Sequence, residues 1–286
     1  MHLKKSFAWL SLLGLVTGLH AQTYNGQELV KFEAIAESKE IVPGQPFLVG
    51  LHMDMADGWH TYWTFSGEAG LATSVSWELP EGMVAGEVLS PLPILKEEDS
   101  GLMAYAYYDE VTHFVHLFPS SDLEPGQEIE IRGSIDWLVC QEPCIPGKAE
   151  FSLTLTVVEE KSADQSDPRL EEQKTKLPRS LALEYGDFPF LWVKGDNNHL
   201  YLLTASEGPA GKLQAFYPLP PEGVFIEIPQ KPEPVANFDN LSEYTDDFDK
   251  AIAIRVNSGF AQIEHLDGVL VFENSESRNG FLANLH

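Results

Sequence analysis

Apolar and polar positions alternate along much of the first half of this 286-residue chain. In PFLVGLHMDM, Phe47, Val49, Leu51, Met53 and Met55 share one parity. In IEIRGSIDWLV, Ile129, Ile131, Ile135, Trp137 and Val139 stand against Glu130, Arg132, Ser134 and Asp136. FSLTLTVV sets Phe151, Leu153, Leu155 and Val157 against Ser152, Thr154 and Thr156. Period-two alternation of this length predicts strands with one buried face. VPGQP, LPEG and EPGQ separate them as turns, and no long amphipathic helix intervenes. The pattern predicts an all-β chain beginning with an immunoglobulin-like β-sandwich.

A stretch at 159–178, EEKSADQSDPRLEEQKTKLP, is charged, carries two prolines and has few apolar residues. It reads as a linker, with room for a helical turn. Beyond it the strand style returns. FLWVKGDNNHLYLLTA predicts a hairpin turning at Gly195 to Asn198, and GVFIEIP, KAIAIRV and DGVLVFE are further strand candidates. The expected organisation is an immunoglobulin-like sandwich over 22–160, a linker over 161–178 and a second β-rich domain over 179–286.

The first twenty-one residues change the setting. Lys4 and Lys5 precede an apolar run from Phe7 to Leu19 that ends near Ala21, the form of a secretory signal peptide. The run of about 13 residues is short of the roughly 20 that span a bilayer, so the mature chain is expected to have no membrane span. The compartment expected is an oxidising one, the bacterial periplasm, where cysteines can pair. Removing the two lysines takes the formal charge from −26 to −28. That balance argues against nucleic acid and anionic lipid, which need clustered Lys and Arg. No phosphate-binding loop or dinucleotide fingerprint occurs.

Candidate chemistry gathers in WLVCQEPCIPG, which holds the only two cysteines, Cys140 and Cys144. Three readings compete. A structural bridge here closes a loop of about five residues and stabilises by only ~2 kcal/mol, against more than ~4 for a loop of sixty. A metal site needs further ligands, and no His or Met lies within five residues of either cysteine. His113 and His116, three apart on a predicted strand, point to opposite faces. A redox pair fits best, since exchange needs a bridge that an attacking thiolate can reach. Trp137 and Val139 face the core, which puts Cys140 on the opposite face. Pro143 and Pro146 are expected to stiffen the turn and keep it out of a strand ladder. Glu142, between the cysteines, should raise thiol pKa values.

DGWHTYW, SGEAGLATSVSWELPEG, SPLP, GLMAYAYYDEV and WLVCQEPCIPG, in this order over residues 50–150, resemble the periplasmic N-terminal domain of the DsbD family of thiol:disulfide interchange proteins, including its copper-sensitivity suppressor branch. LQAFYPLPPEGVFIEIPQ and HLDGVLVFEN resemble, more weakly, the second periplasmic segment of longer members. The resemblance implies an immunoglobulin-like domain whose Cys140–Cys144 pair shuttles between disulfide and dithiol, Cys144 attacking partners. It implies a membrane-embedded electron donor of the DsbD type, on the same polypeptide or encoded separately, and periplasmic thioredoxin-fold proteins as acceptors. No cofactor beyond the pair is expected, and no metal. It also implies an aromatic cap: HTYWTF, with Tyr62, Trp63 and Phe65, occupies that block, and Tyr105 and Tyr107 match the strand bordering the site. By residue type alone these aromatics fit core packing better than a cap. The cysteines here stand closer than in the best-known members. Two alternatives stay open: a β-sandwich binding module with an inert disulfide, and a copper(I)-handling domain.

Overall fold

The alternating segments become strands, with their apolar parity facing inward. The computed structural model describes residues 25–98, 100–162, 167–208 and 210–283; the leader expected over residues 1–21 lies outside them. The first half holds β1 (Val30–Ala36), β2 (Glu40–Ile41), β3 (Phe47–Met55), β4 (His60–Gly67), β5 (Ser74–Glu78), β6 (Val84–Leu89), β7 (Ile94–Glu97), β8 (Met103–Tyr108), β9 (Glu110–Phe118), β10 (Glu128–Cys140) and β11 (Cys144–Val157). One sheet has the order β1-β3-β9-β6. The other runs β2-β11-β10-β4-β8-β7, with β5 also paired to β10. Phe47, Val49, Leu51 and Met53 from β3 meet Ile131, Ile135, Trp137 and Val139 from β10 in one core between the sheets. The chain is all-β and opens with an immunoglobulin-like sandwich, as the alternation predicts.

Residues in the expected linker dock onto this sandwich. Pro168–Lys174 forms a short helix, α1, whose first turn is capped by the Asp167 carboxylate accepting from the Arg169 amide at 2.9 Å. Leu170 is buried against Ile35, Leu48 and Phe114 on the outer face of the four-stranded sheet. Gly50 makes room for it, since a β-carbon there would overlap the Leu170 side chain.

The second half is a further pair of sheets. Gly211–Leu219, Asp267–Glu273 and Arg278–Ala283 form the centre of one; Phe190–Lys194, His199–Thr204 and Lys250–Ser258 form the other. The predicted hairpin pairs Phe190–Lys194 with His199–Thr204, and Asn197 and Asn198 take the left-handed conformation its turn requires. Of GVFIEIP only Phe225–Ile226 is strand. Phe216, Leu270, Phe272 and Phe281 pack against Leu200, Leu202, Ile252 and Ile254 between the sheets.

The two halves share apolar surface. A seven-stranded sheet offers more inner face than a four-stranded partner covers. At β4 and β8 the surplus, Trp63 and Tyr105, packs against Tyr217, Val269 and Val271 of the second half. The Tyr105 and Tyr217 rings lie 4.6 Å apart, and Trp63 and Tyr217 lie 6.2 Å apart. Among the described residues no helix is long and apolar enough to cross a membrane.

Candidate functional site

β10 and β11 are the longest strands of the first half, and the cysteines close their hairpin. The ladder runs from Glu128 opposite Thr156 to Cys140 opposite Cys144, leaving Gln141–Pro143 as the loop. Pro146 therefore lies inside the ladder, opposite Leu138, contrary to the expectation that it keeps the turn out of one. The reason is positional. An antiparallel ladder alternates hydrogen-bonded and non-hydrogen-bonded pairs, and a residue without an N–H is tolerated at the second kind. Leu138/Pro146 takes that place, and Cys140/Cys144, one full repeat on, is of the same kind. Pairs of that kind approach most closely, and the two cysteine Cα atoms are 4.1 Å apart, joined by a disulfide.

The two sulfur-bearing residues differ in exposure. Cys144 is exposed at the hairpin tip, beside exposed Gln141, Glu142 and Pro143, while Cys140 is 1% exposed. Parity explains the burial. Trp137 and Val139 point into the sandwich core, and Cys140 points out the other side, into a small cluster with Tyr62 and Ala104, against which Ala69 and Leu138 pack. A segment between β4 and β5 covers that cluster: Gly70, at φ 82°, sits so close that a β-carbon would overlap the Tyr62 ring. The Glu68 amide donates to the Met103 carbonyl at 2.9 Å, and the Met103 amide to the Glu68 carboxylate at 2.9 Å, which pins the segment to β8.

A polar group adjoins the buried cysteine. Cys140 is paired across the sheet with His60, and His60 with Tyr108, so Cys144, Cys140, His60 and Tyr108 form one row over four strands. His60 is fully buried. Its Nε2 lies 3.1 Å from Glu98 Oε1 and 3.1 Å from the Tyr62 hydroxyl. A carboxylate only accepts, so Nε2 carries the hydrogen and Nδ1 the lone pair. Nδ1 is buried and has no hydrogen-bond partner among the described residues. Glu98 is also held by Lys96 Nζ at 2.7 Å, and Lys96 stands over the Tyr108 ring. Burial, then the Lys96 charge, push the His60 pKa below its ordinary value, with Glu98 opposing. Burial, then Glu98, push the Tyr62 hydroxyl up, so it keeps its proton and donates it towards the Glu98 carboxylate, not towards the His60 N–H.

The aromatics expected at the site divide. Tyr62 touches the Cys140 cluster. Trp63, Phe65 and Tyr105 pack with one another, and Trp63 and Tyr105 pack on Tyr217 at the seam between the halves. Trp63 also lines a cleft of about 750 Å³ there, with Leu219, His265 and Asp267. Tyr107 lies inside the sandwich, donating to the Pro91 carbonyl at 2.6 Å. Sequence reasoning passed over His60, although it stands in the HTYWTF block. Glu98 and Lys96 gave no signal, since strand pairing alone brings residues 38 apart in sequence into contact. No group of three or more His, Cys, Asp or Glu side chains able to hold a metal occurs among the described residues.

Comparison with known proteins gives the following. Residues 27–156 match the family described as thiol:disulfide interchange protein DsbD, N-terminal. Among solved structures, the N-terminal periplasmic domain of ScsB from Proteus mirabilis superposes with a TM-score of 0.58 at 18% identity, over 91% of this chain and 94% of that one. The DsbD N-terminal domain of Neisseria meningitidis in the reduced form aligns at 14% identity and a TM-score of 0.33, over 46% of this chain and 88% of its own. No individual curated protein sequence matches.

Proposed function

We propose, on the premise that residues 27–156 belong to the family of DsbD N-terminal domains, that this chain is a periplasmic electron conduit working through Cys140 and Cys144. The disulfide and the family make it a thiol–disulfide exchange module; the direction and partners are our reading. A membrane-embedded donor of the DsbD type reduces the pair, and the dithiol reduces periplasmic thioredoxin-fold proteins. The functional division is a redox domain over 22–160 and a second β-rich domain over 179–286 joined by 161–178.

The observation that supports this most is the unequal exposure of the two cysteines. A donor thiolate reaches Cys144 Sγ at the hairpin tip and displaces Cys140, whose sulfur leaves into the covered cluster. In the forward direction Cys144 attacks the acceptor disulfide, and Cys140 then attacks Cys144 Sγ, forming the internal bridge and releasing the reduced acceptor. Tyr62, under the Gly70 segment, is the aromatic cover of Cys140. Trp63, Phe65 and Tyr105 serve the seam.

Trapping tests the assignment. Cys140→Ser keeps the exposed nucleophile without the resolving thiol. Incubated with an oxidised thioredoxin-fold protein, it is expected to accumulate a mixed disulfide on a non-reducing gel, at least tenfold above Cys144→Ser. Equal trapping by both variants, or by neither, contradicts the roles given.

A further inference from the structure

We propose that His60 is the proton acceptor for the Cys140 thiol, with Glu98 as the group that orients it, so that Glu98, His60 and Cys140 form a relay on the outer face of the sandwich. The inference rests on the exchange function proposed above and goes beyond it, since that function needs only the two cysteines.

Three observations meet at this point. His60 is the strand neighbour of Cys140, in register and on the same face. Its ring is held through Nε2, which lies 3.1 Å from both Glu98 Oε1 and the Tyr62 hydroxyl. That leaves Nδ1 as a buried acceptor with no partner among the described residues. A buried polar atom without a partner costs about 1–3 kcal/mol, and such atoms are rare without a reason. The oxidised cysteine has no hydrogen to offer, whereas the reduced Cys140, the register neighbour of His60 on the next strand, carries an S–H that can supply the missing partner. The arrangement has the logic of an activated nucleophile: a thiol, a base at the paired position of the next strand, and a third group that fixes the base.

The other groups facing the ring fit this role. Lys96, at 2.7 Å from Glu98, balances the carboxylate, and Tyr62 and Tyr108 enclose the ring at centroid distances of 5.2 and 5.0 Å. Burial and Lys96 hold His60 below the ordinary imidazole range, so it is in its neutral, accepting form at neutral pH.

In the mixed disulfide between Cys144 and an acceptor, Cys140 S–H gives its proton to His60 Nδ1 as its sulfur attacks Cys144 Sγ. The Cys140–Cys144 bond forms, the bond from Cys144 to the acceptor sulfur breaks, and the acceptor leaves as a thiolate. The imidazolium, stabilised by Glu98, returns its proton to that thiolate or to water. The pair is oxidised by two electrons and the acceptor reduced by two. Reduction runs the same path backwards, with His60 protonating Cys140 as it leaves.

Stopped-flow oxidation of the reduced full-length protein by 5,5′-dithiobis(2-nitrobenzoate) separates the two steps, because each releases one coloured thiolate. In the parent, the second release is expected to vary little between pH 6 and 8. In His60→Asn it should slow at least tenfold at pH 6.5 and rise about tenfold per pH unit towards the ordinary thiol range near 8.5, while the first release, at exposed Cys144, stays within twofold. A near-ultraviolet circular dichroism spectrum matching the parent's shows that the variant is folded. Glu98→Gln, which keeps His60 in place, should slow the same second release by a smaller factor. Two releases with unaltered rates and pH profiles in both variants would overturn the relay and leave the exchange function standing. A parent disulfide that reductants cannot open would overturn both. Nitrogen-15 shifts of the parent need no variant: the His60 Nδ1 signal should move towards the hydrogen-bonded range on reduction, and an unmoved signal contradicts the proposal.

Discussion

At His113 the first sandwich encloses a titratable ring away from the disulfide. Its Nδ1 bonds the Ser90 hydroxyl at 2.8 Å, the Tyr107 ring stands edge-on, and burial lowers its pKa from 6.5 to about 4. The unfolded chain takes up the proton near pH 6.5, the folded one near 4. Between those values the unfolded state binds more protons, so stability present above pH 6.5 falls as acid is added. The full loss is on the order of 3 kcal/mol. Urea unfolding of the parent at pH 7.5 and pH 4.5 should therefore show a larger acid loss than His113→Asn, by roughly that amount; equal losses would contradict it. Individual residues were legible in the sequence where parity decides. Cys140 opposite Val139, and His113 facing away from His116, both follow from period two. His60 was not legible as a partner of Cys140, because that pairing depends on which distant strand lies beside β10.

Among the elements, the β10–β11 hairpin and the segment from Glu68 to Thr73 set access to the disulfide. The alternation in IEIRGSIDWLV and FSLTLTVV located both strands, but Pro146 concealed how far the ladder runs. A proline reads as a stop until its pair is known to be a non-hydrogen-bonded one. Nothing in the sequence identified the Gly70 segment as a cover, since its role comes from lying on Tyr62. Gly70→Ala tests it. The φ of 82° and the overlap with Tyr62 both oppose a side chain, so the segment should lift at a cost of about 1–3 kcal/mol. Reduction of the bridge by dithiothreitol is then expected to speed up several-fold, followed by thiol alkylation over time. An unchanged rate would mean that the segment does not shield Cys140. Helix α1 makes a similar point, because a charged, proline-bearing stretch hides the single buried anchor, Leu170.

In the whole molecule, the fold class was legible from alternation, whereas the order of the strands within the sheets and the seam between the halves were not. Trp63 and Tyr105 have the composition of core or cap residues, and only the assembled sheets reveal that Tyr217 covers them. The seam should couple the halves. A double-mutant cycle with Trp63→Ala and Tyr217→Ala is expected to give about 0.5–1.5 kcal/mol of interaction, with one calorimetric transition in the parent. Two well-separated transitions and no coupling would contradict it. The central claim is that the Cys140–Cys144 bridge is a carrier of electrons rather than a fixture. Its short loop contributes only ~2 kcal/mol to folding, and Cys144 stands exposed to an incoming thiolate. The most direct test is the reduction potential, read by equilibrating the protein in thiol redox buffers and quantifying free thiols. A value between about −180 and −280 mV is predicted. A value well below about −300 mV would make the bridge inert and the chain a binding module.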